Sequence, residues 1–303
     1  ELNIRLIKKI NPKIKIILSG RNPTIFDKEW LARGADFIIR GEGEITLQEL
    51  VQALKSNSQA AGIRGISFKE NGNIISNPDR DFVENLDTLP MPRWDLLNFK
   101  NYGGNIKDGF ISSIETSRGC VFKCNFCLVP SIWGQSQRFK SVKRVIDEFL
   151  VLKELGVNRV CIADDNFGYN YTRDMGLVDE MLRRNLKMSW HGFARADCVI
   201  KHPEFYELAA RAGLERVLVG FEMTQDKNIA SLNKEYRENL GFEEYRKVFR
   251  LLKKNNIFTV GLFIVGYPGE SEKDIRYTLT RYKQICDFPL FTPFRPEKGT
   301  PSL

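Results

Sequence analysis

Thr116-Ser117-Arg118-Gly119-Cys120-Val121-Phe122-Lys123-Cys124-Asn125-Phe126-Cys127 is the stretch that decides how this 303-residue chain is read. It places three of the six cysteines within eight residues, spaced C-x-x-x-C-x-x-C. Just before it, Phe110 to Ile114 is a short apolar-alternating run that reads as a strand. Thiolates are the usual ligands of iron–sulfur clusters, and a complete [4Fe–4S] cluster takes four. A cluster held by Cys120, Cys124 and Cys127 alone leaves one iron open to a ligand that is not protein, and the chemistry is expected there.

Two plainer readings fit less well. A structural zinc site is closed by four Cys or His ligands, and a ferredoxin needs a fourth cysteine nearby. Cys161, Cys198 and Cys286 are single and scattered and read as ordinary buried thiols, and neither His191 nor His202 lies near the motif in sequence. The motif, with the aromatic Phe126 just before its last cysteine, resembles that of the radical S-adenosylmethionine (SAM) superfamily. The resemblance implies that Cys120, Cys124 and Cys127 are the metal ligands and the catalytic centre. It further implies that the open iron binds the amino and carboxylate groups of the SAM methionine, and that an electron cleaves SAM to methionine and a 5′-deoxyadenosyl radical.

Composition sets outer bounds. With 42% hydrophobic and 28% charged residues the chain reads as a globular protein of the cytosol, with no secretory leader and no apolar run long enough for a membrane helix. Clustered cysteines suit a reducing, anaerobic setting better than a disulfide framework. The net charge of +8 is spread along helices beside acidic residues, so no nucleic-acid partner is expected.

Taken in order, the first residues follow a helix stripe (Leu2, Leu6, Ile7, Ile10) and are preceded by no initiator Met. Strand 14–18, a helix from Asp27 to Arg33, strand 36–39 and a helix from Thr46 to Lys55 give a β-α-β-α pattern, the signature of an open parallel sheet. Its strand ends carry Ser19-Gly20 and Gly41-Glu42-Gly43, where such sheets bind ligands. Residues 18–24 and 35–44 resemble the second half of the cobalamin-binding domain often fused before radical SAM domains. Ser19, Gly20, Gly41 and Glu42 are carried over as cofactor-binding. The D-x-H-x-x-G loop of that family would precede residue 1, so the chain is expected to be a piece of a longer protein with an incomplete cobalamin site. Asn71-Gly72 marks a hairpin between 63–68 and 73–76. Expected boundaries are 1–76 for this partial domain, 77–109 for a Pro-containing linker that resembles the family's own, and 110–303 for the rest.

From Phe110 strands and helices alternate, through strands at 159–163, 187–195, 215–220, 258–265 and 289–292, and the series should close into a partial parallel barrel. The expected fold is therefore α/β: a C-terminal partial (β/α)6 barrel of the radical SAM type, preceded by half of a doubly wound, Rossmann-like domain. The strand ends offer Asp164 and Asp165, Arg195, Glu222, and Ile264 with Gly266. A carboxylate can hold an amino group or ribose hydroxyls, an arginine can clamp a carboxylate, and apolar ends can flank adenine. The resemblance carries Phe126, Asp164, Asp165, Arg195, Glu222, Ile264 and Gly266 over as SAM-binding positions. His191 shares a strand face with Phe193 and Arg195, and Tyr169 and Tyr171 lie on a loop near the strand ends.

Within the superfamily, Trp133, Arg138-Phe139, Trp190, residues 201–213, Val219-Gly220-Phe221-Glu222, Leu232-Asn233-Lys234 and 257–266 resemble the anaerobic magnesium-protoporphyrin monomethyl ester cyclase group. That implies abstraction of hydrogen from an unactivated carbon of a small molecule, as in oxidative tetrapyrrole cyclisation. It also implies an electron donor such as a flavodoxin or ferredoxin. Related C-methyltransferases share these segments. A transfer-RNA methylthiotransferase would bring further cysteines before Cys120, and a non-catalytic iron–sulfur sensor would have lost the SAM positions.

Overall fold

The computed structural model describes residues 1–101, 110–224 and 240–300. The resemblance at 232–234 lies outside them, as do parts of the expected linker and C-terminus. The chain forms two compact units, one of Glu1–Glu84 with Ser131–Trp133, the other of Asn85–Pro130 with Gly134 onward.

The first unit has one four-stranded sheet, in the order β1 (Ile17–Leu18), β2 (Phe37–Ile39), β3 (Ile66–Glu70), β4 (Asn73–Ser76). β1 and β2 pair in parallel, as the β-α-β pattern requires, with helices Arg21–Ile25 and Asp27–Ala32 between them. The hairpin of β3 and β4 then extends the same sheet, because β3 pairs antiparallel with β2. Phe37 and Ile39 pack with Leu50, Ala53, Ile66 and Phe68 on one face, while Ile38 packs with Leu31 and Ala35 on the other. This is the two-faced burial expected of a doubly wound sheet. The expected strand 14–18 shrinks to two residues, and the short helix at Arg21–Ile25 is one the periodicity did not disclose.

The second unit is built on six parallel strands, β5 (Phe110–Ile114), β8 (Val157–Ile162), β9 (Ser189–Arg195), β10 (Leu214–Glu222), β11 (Phe258–Val265) and β12 (Phe288–Pro293), neighbours in that order. Spatial order equals chain order, as in a half-barrel of βα units. A separate two-stranded ribbon, β6 (Ser117–Gly119) with β7 (Gln137–Phe139), brackets the cysteine segment.

Local chemistry fixes the crossover helices. Ser141 caps helix Val142–Glu154 by accepting the Arg144 N–H at 3.1 Å, and Asn170 caps Tyr171–Arg183 through the Arg173 N–H at 3.2 Å. Ser271 and Asp274 form a reciprocal box at Glu272–Arg281. Val145, Ile146, Phe149 and Leu152 make the buried stripe of the first of these helices. They join Val160, Ile162, Trp190, Val217, Val219, Phe221 and Phe263 in one core. Alternation then turns Arg159, Cys161, His191, Phe193, Arg195 and Leu218 to the opposite, inner face of the sheet. Among the described residues no helix is long and apolar enough to cross a membrane.

Candidate functional site

The inner face of the six-stranded sheet and its carboxyl end gather the chemistry-bearing residues. The cysteine segment follows β6, Asp164 and Asp165 follow β8, Arg195 ends β9, Glu222 ends β10 and Gly266 follows β11. All six cysteines are free thiols, with Cys124 buried and Cys120 and Cys127 half-buried.

Arg195 is the residue that ties the strand ends to the thiols. Its Nη1 lies 3.8 Å from Cys124 Sγ, its Nε donates to Asp197 Oδ1 at 3.2 Å, and its guanidinium carbon sits 3.3 Å from the centroid of the Phe122 ring. Tyr169 meets that ring edge to face, with centroids 5.4 Å apart. Phe122 lies inside the first C-x-x-x-C interval, and no sequence reasoning gave it a role. An aromatic between two ligands was the available signal.

Burial pushes the Cys127 thiol up to about 11, and it raises Cys120 as well, against the opposing pull of the Phe122 N–H and the Arg195 charge. Added positive charge beside them would favour the thiolate forms, and a bound metal centre would supply it. Among the described residues no three His, Cys, Asp or Glu side chains converge on one metal ion. A cubane cluster, unlike a single zinc ion, presents a different iron to each thiolate. The donor set of three thiols in one short segment fits a cluster with one iron open.

Asp164, carried over as a SAM-binding position, is engaged within the protein. It is 2% exposed, and its carboxylate accepts the Thr116 N–H at 2.6 Å, the Thr116 hydroxyl at 2.5 Å and the Ser117 hydroxyl at 2.7 Å. Burial raises its pKa and these bonds oppose the rise. The carboxylate thus anchors the turn that leads into the cysteine segment, from below. Arg173 extends the bracket, donating to Thr116 Oγ1 at 3.0 Å and to the Thr116 and Lys140 carbonyls at 3.1 Å each. Asp165, next in the chain, is the half-buried carboxylate, and its charge is felt at both Cys120 and Cys127.

Glu222 stands in the left-handed region, at φ 63°, where the β10–β11 register slips between Gly220 and Glu222. Non-glycine residues there cost of order 1–3 kcal/mol and cluster at ligand sites. Gly266, just past β11, gives its N–H to Glu270 at 2.6 Å. Ile264 and Phe126 are partly buried against the main core. His191 is half-buried on the inner face, in register with Cys161 on β8, and burial lowers its pKa, followed by the nearby Arg216 charge. His202 stacks on Tyr171 at 4.1 Å. Burial pushes Cys198 and Cys286 up to about 12, as for inert thiols.

In the first unit the two strand-end turns are stitched together. Thr24 Oγ1 accepts the Gly41 N–H at 3.1 Å and donates to the Gly20 carbonyl at 2.8 Å. Both glycines have positive φ, 104° and 70°, and a Cβ at either would meet nothing within 4 Å, so the turns face open space. Ser19 Oγ packs 3.2 Å from where a Cβ on Gly43 would lie. Glu42 is 7% exposed and accepts the Val83 N–H at 2.6 Å, so its carboxylate turns inward while Ser19, Gly20 and Gly41 border the open side.

Known proteins resemble this chain in sequence and in fold. The chain is 31% identical to an uncharacterized methyltransferase of Pyrococcus horikoshii, over 98% of its own length and 64% of that protein's. It is 27% identical to the anaerobic magnesium-protoporphyrin IX monomethyl ester cyclase of Rubrivivax gelatinosus, over 97% of this chain and 54% of that one. The chain thus spans between half and two thirds of the length of these relatives. Among solved structures, the radical S-adenosylmethionine methyltransferase TsrM of Kitasatospora setae, with tryptophan and a SAM analogue bound, superposes with a TM-score of 0.84 at 20% identity, over 99% of this chain and 59% of that one. The family model of the radical SAM superfamily matches residues 114–281, which take in the three cysteines and the ends of the next four parallel strands; the chain belongs to that superfamily.

Proposed function

We propose that this chain is the core of a cobalamin-dependent radical SAM enzyme that transfers a methyl group to an unactivated carbon of a small molecule. The observation that carries the reading is the contact of Arg195, at the carboxyl end of the half-barrel, with Cys124 of the three-cysteine segment, all of whose thiols are free. A [4Fe–4S] cluster held there by Cys120, Cys124 and Cys127 would supply the one-electron reduction that radical SAM chemistry requires.

The chain's own residues prepare that event. Cys120, Cys124 and Cys127 hold the metal, and the Asp164 bracket fixes the strand turn from which they hang. Asp165 and Glu222 offer carboxylates to an amino group or to ribose hydroxyls, and Arg195 offers a guanidinium to a carboxylate. Gly266, Ile264 and Phe126 supply backbone and apolar surface for a flat base. In the first unit, Ser19, Gly20 and Gly41 border an open face where a corrin ring would lie. Support for methyl transfer comes from the Pyrococcus horikoshii relative, a methyltransferase by name, and from the fold shared with TsrM.

Oxidative cyclisation of a tetrapyrrole is the second reading, favoured by the cyclase resemblance along 97% of the chain. The expected reductant is a small flavodoxin- or ferredoxin-type protein of the cytoplasm. Anaerobic reconstitution, dithionite reduction and addition of methyl-labelled SAM test the reading. Methionine and 5′-deoxyadenosine should form, and should not form with Cys124→Ala. In the full-length protein with substrate, label in the product marks a methyltransferase, and unlabelled oxidised product marks a cyclase. No SAM cleavage by a fully loaded sample would refute both.

A further inference from the structure

Arg195 does something in this structure besides waiting for a ligand carboxylate. Its guanidinium is held on three sides by the chain itself: Asp197 Oδ1 at 3.2 Å from Nε, the Phe122 ring 3.3 Å below, and Cys124 Sγ at 3.8 Å from Nη1. The Phe122 ring is in turn steadied by Tyr169 at 5.4 Å. A planar cation stacked on an aromatic face keeps its N–H groups in the ring plane, free to point sideways, and loses little freedom in doing so.

We infer that Arg195 is the outer-shell donor to the Cys124 thiolate and raises the reduction potential of the cluster, and that Phe122 is the positioning residue that keeps it there. The inference rests on the proposed function, since it needs a cluster on Cys124. Reduction adds a negative charge to an already anionic centre. A fixed cation one contact away from a ligand sulfur stabilises the reduced state more than the oxidised one, as does an N–H···S bond. Outer-shell donors of this kind set both the orientation and the electronics of a metal ligand. Phe122 acts only through Arg195. An aliphatic residue there would leave the charge in the protein but remove the face on which it lies.

Potential is the property to measure, by redox titration followed by electron paramagnetic resonance on the full chain without SAM, with iron and sulfide counted in each sample. Arg195→Met should lower the potential at unchanged cluster content. Phe122→Leu should lower it by less, and Phe122→Tyr, which keeps the ring face, should restore the wild-type value. A fully loaded Arg195→Met protein at the wild-type potential overturns the inference. If Arg195→Met fails to retain its cluster, the Phe122 pair decides: equal potentials for Phe122→Leu and wild type overturn it, a lower value for Phe122→Leu alone supports it. Absence of any iron–sulfur signal from the wild-type chain would instead remove the functional reading on which the inference stands.

Discussion

The Tyr245 hydroxyl donates to the Phe221 carbonyl at 3.0 Å, and the next residue, Glu222, turns to φ 63°. The two rings also pack, with centroids 4.8 Å apart. A buried helix residue therefore packs and bonds at the bulge that sets the backbone of Glu222.

That arrangement sets stability against function at one position. Glu222→Gly should leave the melting temperature unchanged or raised, since the strain released, of order 1–3 kcal/mol, is partly offset by glycine's extra freedom when unfolded. The same variant should weaken SAM binding roughly tenfold or more, the worth of a charged hydrogen bond. Calorimetric titration with SAM beside thermal unfolding separates the two effects. A stable variant with unchanged affinity would remove Glu222 from the site.

Asp164 should behave as a support and not as a ligand contact. Asp164→Ala strands the Thr116 N–H and two hydroxyls in a buried place, at a cost on the order of 3 kcal/mol. Denaturant unfolding measures that loss. Because the bracket lies at the root of the cysteine segment, the iron retained per chain should also fall.

Asp174 gives the stability a pH dependence of known sign. Burial raises its pKa to about 6, against the opposing pull of Arg173, and the side chain is 2% exposed. A carboxyl whose folded pKa lies above its unfolded one adds stability that is complete below about pH 4 and is lost as pH rises through about 6. The loss is at most about 3 kcal/mol. Asp174→Asn should flatten the unfolding free energy across that window. An unchanged slope would mean that Arg173 compensates the ionised form fully.

The six cysteines should divide into two classes. Replacing Cys120, Cys124 or Cys127 by alanine should abolish iron and sulfide binding, while replacing Cys161, Cys198 or Cys286 should leave both intact. Metal analysis of the six variants decides the matter. Loss of the cluster with a replacement outside the motif would mean a fourth protein ligand.

Much of this was written plainly in the residues. The half-barrel came from periodicity alone, and strand Phe258–Val265 and hairpin strand Asn73–Ser76 have the expected bounds, because apolar alternation and turn residues act locally. The ribbon of β6 and β7 was not legible, since three-residue strands of Ser-Arg-Gly and Gln-Arg-Phe carry no period. Arg195 could be named from its place at a strand end. Its contact with Phe122 could not, because 72 residues of intervening chain must fold before the two meet. Asp164 shows a different gap: an Asp-Asp pair at a strand end reads as two alike carboxylates, and only the fold reveals that the first is buried and bonded to Thr116 and Ser117.

The account's central claim is that one iron remains open for SAM, and the spectrum of the reduced, reconstituted protein with and without SAM tests it most directly. A cluster signal whose g-values change when SAM is added is expected, with the midpoint of that change moved roughly tenfold or more to higher SAM in Glu222→Gly. A sample that carries zinc, or a cluster whose spectrum is indifferent to saturating SAM, would contradict it.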